Sequence, residues 1–365
     1  MEHKPFFFDK DSSYRPRHKL EEAVETGVAV IGGGFFGSLV TYHLSLHGVR
    51  VVQLERDELA SGLAGRSGGI VTASLPLDFM ELPRSFLAEA GRLWRQTVAG
   101  RDDIAAIVEK HDIDCDFERA GSLYRSRYGV LSTDLAEYFN EEAGSRAAHS
   151  IPYERTSLGI LTAADCMLDP VAFVRGLARV SESFGARIYE RTEAYGWDED
   201  IVRTPAGMVT ADRVIVCTET PLAGEAIVRN QAIVTEPLPA EHIHMDGHGM
   251  FWNTGEEYVT IRRITAGSEH RLFACSPIAV GADESQLASH RESLLHELRW
   301  YFPALRSVAI SHAWTGDMVY PADMHPRFVQ HNGALAVYGG SGNGLPFAAF
   351  AARTVASVVC GSALP

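Results

Sequence analysis

The sequence predicts an α/β chain, a parallel-stranded unit near its start joined to a mostly antiparallel sheet behind it. Three observations carry this. Strand, glycine turn, helix and strand follow one another within residues 28–54. From 231 to 278, short alternating runs separated by turns read as antiparallel strands. A last buried strand, 335–338, runs into a second glycine-rich turn and an alanine-rich helix over 346–359.

Each element has a local reason. Residues 1–26 form a polar arm with aromatic anchors at Phe6, Phe7, Phe8 and Tyr14. The β-branched run 28–31 suits a strand buried on both faces. Gly32-Gly33-Gly34-Phe35-Phe36-Gly37 follows, then a helix over 38–47 with Leu39, Tyr42, Leu44 and Leu46 among its apolar positions. Gly48 stops that helix. Strand 49–54 ends at Glu55 and completes a βαβ unit. Residues 57–71 are glycine-rich and read as an extended loop, 86–97 and 103–111 as two helices, and 116–128 as strand and hairpin. A helix spans 170–184, with Pro170 near its start. Strands are expected over 187–195, 201–204 and 213–217, and a helix over 284–301. No repeat or low-complexity tract interrupts the chain.

Composition narrows the function. The 365 residues are enough for a large core and two domains. With 46% hydrophobic and 22% charged residues the chain is globular. A formal charge of −14 argues against gripping nucleic-acid phosphates, so no nucleic-acid partner is expected. The five cysteines, Cys115, Cys166, Cys217, Cys275 and Cys360, are scattered, which suggests neither a disulfide framework nor a zinc site, and no metal is expected. Residues 1–20 lack the apolar run of a signal peptide, and no run of about 18 apolar residues marks a membrane span. A cytoplasmic protein is the expectation. The sequence sets no oligomeric state.

The first motif is Gly32-x-Gly34-x-x-Gly37. Gly32 permits the tight turn, Gly34 lets backbone approach a pyrophosphate, and Gly37 allows close helix–strand packing. The helix N-terminus then offers unpaired N–H groups to phosphate. Glu55, at the end of the second strand, is placed to bind ribose hydroxyls and disfavours a ribose phosphate, which makes NADP the poorest dinucleotide candidate. The second motif is 60–70, with Gly62, Gly65, Gly68 and Gly69. A nicotinamide enzyme has no need of a second glycine loop so soon; a flavin nucleotide, with its longer line of contacts, does. Arg66 is the cation of that loop. The third is Gly339-Gly340-Ser341-Gly342-Asn343-Gly344, which opens a helix and mirrors the first. A helix N-terminus aimed at a flavin would favour charge on the reduced ring.

These segments, with Leu168-Asp169-Pro170, Thr210 to Thr218 and Thr235-Glu236-Pro237-Leu238-Pro239, resemble the FAD-dependent amine and amino-acid oxidases. That group holds D-amino-acid, glycine, sarcosine and gamma-glutamylputrescine oxidases. The resemblance covers most of 27–365. It implies a discontinuous Rossmann-like FAD-binding domain (27–95, 155–222, 308–365) and a second α+β substrate domain (96–154, 223–307) built on the antiparallel sheet. By the same resemblance Phe35 and Phe36 sit at the diphosphate turn, and Glu55 and Arg56 meet the adenosine ribose. Gly65, Arg66, Ser67 and Gly68 run past pyrophosphate and flavin. Ala194, in a strand, meets adenine. Gly340, Ser341, Gly342, Asn343, Gly344 and Leu345 border the flavin ring. Asp323 and His325 lie where the family turns back toward it.

The departures are informative. Some relatives attach FAD through a cysteine shortly before the final glycine segment; residues 312–320 hold none, so FAD is expected to be noncovalent. Glycine-oxidase-like members place arginines in this stretch and in the final glycine segment to hold a carboxylate, where this chain has Gly316-Asp317 and Gly342-Asn343. Arg262 and Arg263 are the substitutes to test. Tyr258, His312 and Trp314, with Trp252, complete the substrate-pocket candidates, and no catalytic residue is singled out. The implied reaction is hydride transfer from an amine carbon to flavin N5, imine hydrolysis, and reoxidation of the flavin by O2 to give H2O2. Three alternatives stay open: a dehydrogenase with another electron acceptor, a tailoring oxidase acting on an amino-acid unit of a larger metabolite, and a flavin-binding subunit without turnover.

Overall fold

The computed structural model describes residues 4–11, 13–73, 87–126, 154–155, 159–222, 224–245, 248–254, 258–305 and 307–361. Two eight-stranded sheets organise it. In the first, Ala334–Tyr338, Met208–Val216, Ala23–Ile31, Val51–Leu54 and Arg187–Tyr189 lie side by side and parallel, and Arg327–His331 closes one edge antiparallel. Alternate residues reach opposite faces. Val28, Val30, Ile215 and Val337 pack under the helices Phe35–Leu46, Pro170–Ser183 and Gly344–Cys360. Ala29, Ile31, Val52 and Val214 face a second core with Leu20 and Val202.

The second sheet runs Ile310–Tyr320, Ala226–Thr235, Glu269–Ile278, Val259–Ala266, Met250–Thr254, Ser122–Ser126, Ile160–Thr162 and Glu154–Arg155. One face carries Ile233, Ile261, Leu272, Ala274 and Ala313 against the helix Glu284–Tyr301. The other, with Val234, Phe273 and Trp314, packs into the first core. The sheets therefore share one apolar interior.

Several elements differ from the sequence reading. Helices 86–97 and 103–111 are one helix, Leu87–His111. Gly100 does not break it because its missing side chain is a packing requirement: a Cβ there would lie 1.9 Å from the Pro346 carbonyl oxygen. Strand 187–195 ends at Tyr189, and Ala194 lies in irregular backbone, not in a strand. The chain turns at Arg191 (φ 52) to place its amides against the end of the second strand, which ends the ladder. Loop 57–71 contains a short helix, Leu63–Arg66, and a two-residue strand, Ile70–Val71. The strand Ile310–Tyr320, drawn with the cofactor domain from sequence, pairs with Ala226–Thr235 in the second sheet. Ile160–Thr162 likewise joins that sheet. Part of the expected 116–128 hairpin falls outside the described residues.

The arm is built in rather than draped. Its helix, Phe6–Lys10, buries Phe6 and Phe7. Arg175 pairs with Asp11 at 2.7 Å and stacks 3.5 Å above the Tyr14 ring. Tyr14 Oη donates to the buried Glu190 carboxylate at 2.7 Å, and Arg17 pairs with Glu182 at 2.6 Å. Among the described residues no helix is long and apolar enough to cross a membrane.

Candidate cofactor and substrate site

The first glycine turn is fixed by crowding. At Gly32 (φ 116) a Cβ would lie 2.4 Å from the Cys217 carbonyl oxygen, and at Gly37 one would lie 2.0 Å from that of Gly32. Gly34, the N-cap of helix Phe35–Leu46, brings no side-chain cap. The first helical bond runs from Ser38 N–H to Gly34 O at 3.0 Å, so the amides ahead of it have no helical partner. Phe35 and Phe36 are both buried here.

Glu55 stands beside this turn. Its carboxylate accepts the Gly33 N–H at 2.6 Å and the Asp57 N–H at 2.9 Å. Burial pushes its pKa up, while those two amides pull the other way. Thr192 N–H donates to Glu55 O at 2.8 Å and Arg191 N–H to Asp57 O at 2.7 Å, so the segment leading to Ala194 lies along the Glu55–Asp57 backbone. Arg56 points outward and pairs with Asp57 at 3.1 Å.

The second glycine loop is backed by the second sheet. A Cβ at Gly65 would meet the Ala60 carbonyl oxygen at 2.3 Å, and one at Gly68 the Phe273 ring at 2.7 Å. Arg66 Nη1 donates to Thr315 O at 2.8 Å, and Trp314 Nε1 donates to Arg66 O at 2.9 Å. Ser67 Oγ accepts the Gly69 N–H at 3.1 Å.

The third segment meets the first. A Cβ on Gly344 would lie 3.7 Å from Phe35 Cδ2, and one on Gly34 would lie 3.9 Å from the Ala64 Cβ. Three glycine segments distant in sequence thus converge. Helix Gly344–Cys360 also lacks a side-chain cap at Asn343, and Leu345 is buried in its first turn. Ser341 (φ 44) is fully buried, and its Oγ has no hydrogen-bond partner. Two uncapped helix N-termini side by side, with an orphaned hydroxyl between glycines, fit a ligand bearing a pyrophosphate and polar ring edges.

The substrate candidates part company. Arg262 is not open to a ligand carboxylate. Its Nη1 donates to the carbonyls of Gly68, Gly69 (3.2 Å) and Leu168 (2.8 Å), and its guanidinium lies over the Phe7 ring. Burial lowers its pKa to about 10. Arg263 pairs with Glu118 at 2.6 Å. His312 meets the arm: its ring lies edge-on to Phe6, with Nδ1 2.9 Å from Ser311 Oγ. Trp314 braces the second glycine loop. Tyr258 is 38% exposed. The Trp252 side chain lies outside the described residues. Asp323 pairs with Arg327 at 2.9 Å and caps the His325 N–H at 3.1 Å, while the buried His325 ring contacts Arg92 and Gln96.

Sequence reasoning missed Asn230, Cys275 and Tyr320. Asn230 lies opposite both Gly316 and Pro277, and Cys275 opposite Thr260, on the face that carries Trp314 and Phe273. The buried Asn230 Oδ1 has no hydrogen-bond partner. Burial, with Tyr258 and Cys275 adding to it, pushes the Tyr320 phenol well up. The available signal was register, which needs the pairing to be known.

This architecture is that of a dinucleotide-binding oxidoreductase in two parts. The chain belongs to the FAD dependent oxidoreductase (DAO) family, whose sequence profile matches residues 27–358, and its cofactor is FAD. It is similar to gamma-glutamylputrescine oxidoreductase of Escherichia coli (strain K12), 25% identical over 96% of this chain and 88% of that one. It is similar to glycine oxidase of Bacillus licheniformis, 22% identical over 91% and 92%. Among solved structures, L-amino acid deaminase from Proteus vulgaris matches with a TM-score of 0.74 at 17% identity, covering 96% of this chain and 94% of that one. Glycine oxidase from Geobacillus kaustophilus matches at 0.72 and 17%, covering 93% and 96%. These structural likenesses establish the shared fold.

Proposed function

We propose that this enzyme oxidises the C–N bond of an amine or amino-acid-like substrate with noncovalently held FAD. The convergence of the three glycine segments carries the reading. Gly32, Gly34, Phe35, Phe36 and Gly37 hold the diphosphate, with Gly65, Arg66, Ser67 and Gly68 alongside it. Glu55 and Arg56 take the adenosine ribose, with Ala194 at adenine. Gly340 to Leu345 border the ring, where the Ser341 hydroxyl needs a partner. FAD held by these residues would supply the hydride acceptor, with O2 as the final oxidant and H2O2 as its product.

The chain's own part is binding and exclusion of water. The inner face of the second sheet forms the substrate side, with Tyr258, Thr260, Cys275, Asn230 and Tyr320. These groups are uncharged at neutral pH, and Arg262 and Arg263 are held by protein oxygens. A neutral amine suits them, and desolvation there keeps it deprotonated. The substrate carbon gives up hydride, the nitrogen lone pair forms the imine, and water hydrolyses it to a carbonyl compound and ammonia or an amine. The names of its relatives, gamma-glutamylputrescine oxidoreductase and glycine oxidase, agree with such substrates. Cysteines free of disulfides agree with a cytoplasmic location.

Anaerobic mixing with a panel of amines, N-methyl amino acids and polyamine derivatives tests this. At least one should bleach the flavin, and a flavin that stays oxidised with all of them defeats the reading. Acid denaturation should release the flavin from the polypeptide. Peroxide formation in air separates an oxidase from a dehydrogenase that uses another acceptor.

A further inference from the structure

Glu219 has no role in the site as described so far, yet it sits where that site converges. It follows the strand Met208–Val216 and adopts φ 53, a conformation that glycine accepts more readily. A strained residue beside a ligand site is a pointer to function. Glu219 Oε1 accepts the Gly340 N–H at 3.0 Å, and Oε2 accepts the Gly339 N–H at 3.2 Å. The Val319 backbone adds a third hydrogen bond to the same carboxylate. Val319 in turn accepts the Ser341 N–H at 3.2 Å. Two residues before Glu219, the Cys217 carbonyl forms the wall against Gly32. One carboxylate therefore ties the end of a parallel strand to the final glycine segment and to the last strand of the second sheet. The residue as a whole is half-buried, and its carboxylate is shut away from solvent among these backbone groups.

The electrostatic consequence is specific. Helix Gly344–Cys360 presents about half a positive charge at its N-terminus. An ionised carboxylate beside it would outweigh that partial charge. Burial pushes the Glu219 pKa up, and the three backbone amides oppose that push by favouring the carboxylate.

We propose that Glu219 is a positioning residue that sets the flavin potential: it fixes the final glycine segment and places a negative charge where the helix terminus alone would favour a reduced, electron-rich flavin. This rests on the reading that Gly340 to Leu345 border the flavin ring. Reduced FAD is the more electron-rich form, so a nearby carboxylate weakens its binding relative to oxidised FAD.

The test uses FAD-loaded wild type and the Glu219→Gln, Glu219→Asp and Glu219→Gly variants. The readouts are FAD affinity by titration of apoprotein and midpoint potential by dye equilibration. Glu219→Gln should favour reduced over oxidised FAD at least tenfold, a potential rise of about 30 mV for a two-electron couple. Glu219→Asp, which keeps the charge, should stay near wild type. Glu219→Gly suits the backbone at this position, so it guards against a Gln variant that does not fold, and its potential should rise as well. An unchanged potential in both neutral variants overturns the proposal, and so does an equal rise in the Asp variant. Failure of wild-type apoprotein to take up FAD would instead overturn the cofactor reading on which the proposal stands.

Discussion

At Gly37 a single methyl group has nowhere to go, because the Gly32 carbonyl oxygen occupies its place at 2.0 Å. Gly37→Ala must push helix Phe35–Leu46 off the strand. Overpacking of this kind costs about 1–3 kcal/mol. The same shift displaces the amides at the helix start, so FAD affinity should fall with stability. Gly196 is the control. It lies in the extended backbone of a short strand and has nothing within 4 Å of an added Cβ, so Gly196→Ala should stay within about 0.5 kcal/mol of wild type. Thermal unfolding and FAD titration of both variants check the pair. Arg262 tests a different point. Its removal takes a donor from the Gly68 and Leu168 carbonyls, while Gly69 O keeps the Leu168 N–H, so Arg262→Met should lower stability by about 1–3 kcal/mol. A variant with unchanged melting and only a raised KM would return Arg262 to the substrate list. The motif glycines were legible from sequence because turn, approach and packing act within a few residues. The partners of Arg262 and Glu219 lie far along the chain, and residue type alone does not name them.

Elements were legible where one local rule decided them. Helix Glu284–Tyr301 has the expected bounds, and a capping box between Asp283 and Gln286 marks its start. Helix Pro170–Ser183 begins at Asp169, which accepts the Val171 and Ala172 amides, with proline in the first turn. Ala23–Ile31 was seen only from Val28 because its first half alternates exposed and buried residues while its second half is buried throughout. Tertiary packing decided the rest, as at Gly100 and in the arm. The pair Arg229–Asp317 shows how adjoining strands are held in the second sheet. It is bidentate, at 2.6 Å for both bonds. Hydrogen bonding to Arg229 holds the Asp317 pKa below the usual carboxylate range. A depressed folded pKa adds stability above the unfolded value of about 4, and that stability is lost as pH falls through the folded value. The Asp317 side chain is 41% exposed, so solvent screening keeps the effect under about 1 kcal/mol. Asp317→Asn should lower the urea midpoint slightly at pH 7 and leave it unchanged near pH 2. An equal loss at both pH values would mean the carboxylate charge is not what matters.

The whole molecule is two sheets whose shared interior is completed by segments from the start, middle and end of the chain. Phe35, Trp314, Phe273 and Leu345 belong to one core, and the glycine segments border that core. A ligand that touches all of them therefore reports on global folding rather than on one lobe. Unfolding separates the three segments and abolishes its site, so FAD binds the folded state alone. The stabilisation follows the free FAD concentration, reaching about 2.7 kcal/mol at a hundredfold excess over Kd. In a chain of 365 residues that corresponds to a rise in Tm of roughly 3–4 °C. Calorimetry of apoprotein across an FAD series should give one transition that climbs with the logarithm of concentration. NADP, with the phosphate that Glu55 disfavours, should leave it in place. Two transitions, only one of them moved by FAD, would show that the cofactor is held within a single lobe and that the convergence of the chain's two ends does not hold it.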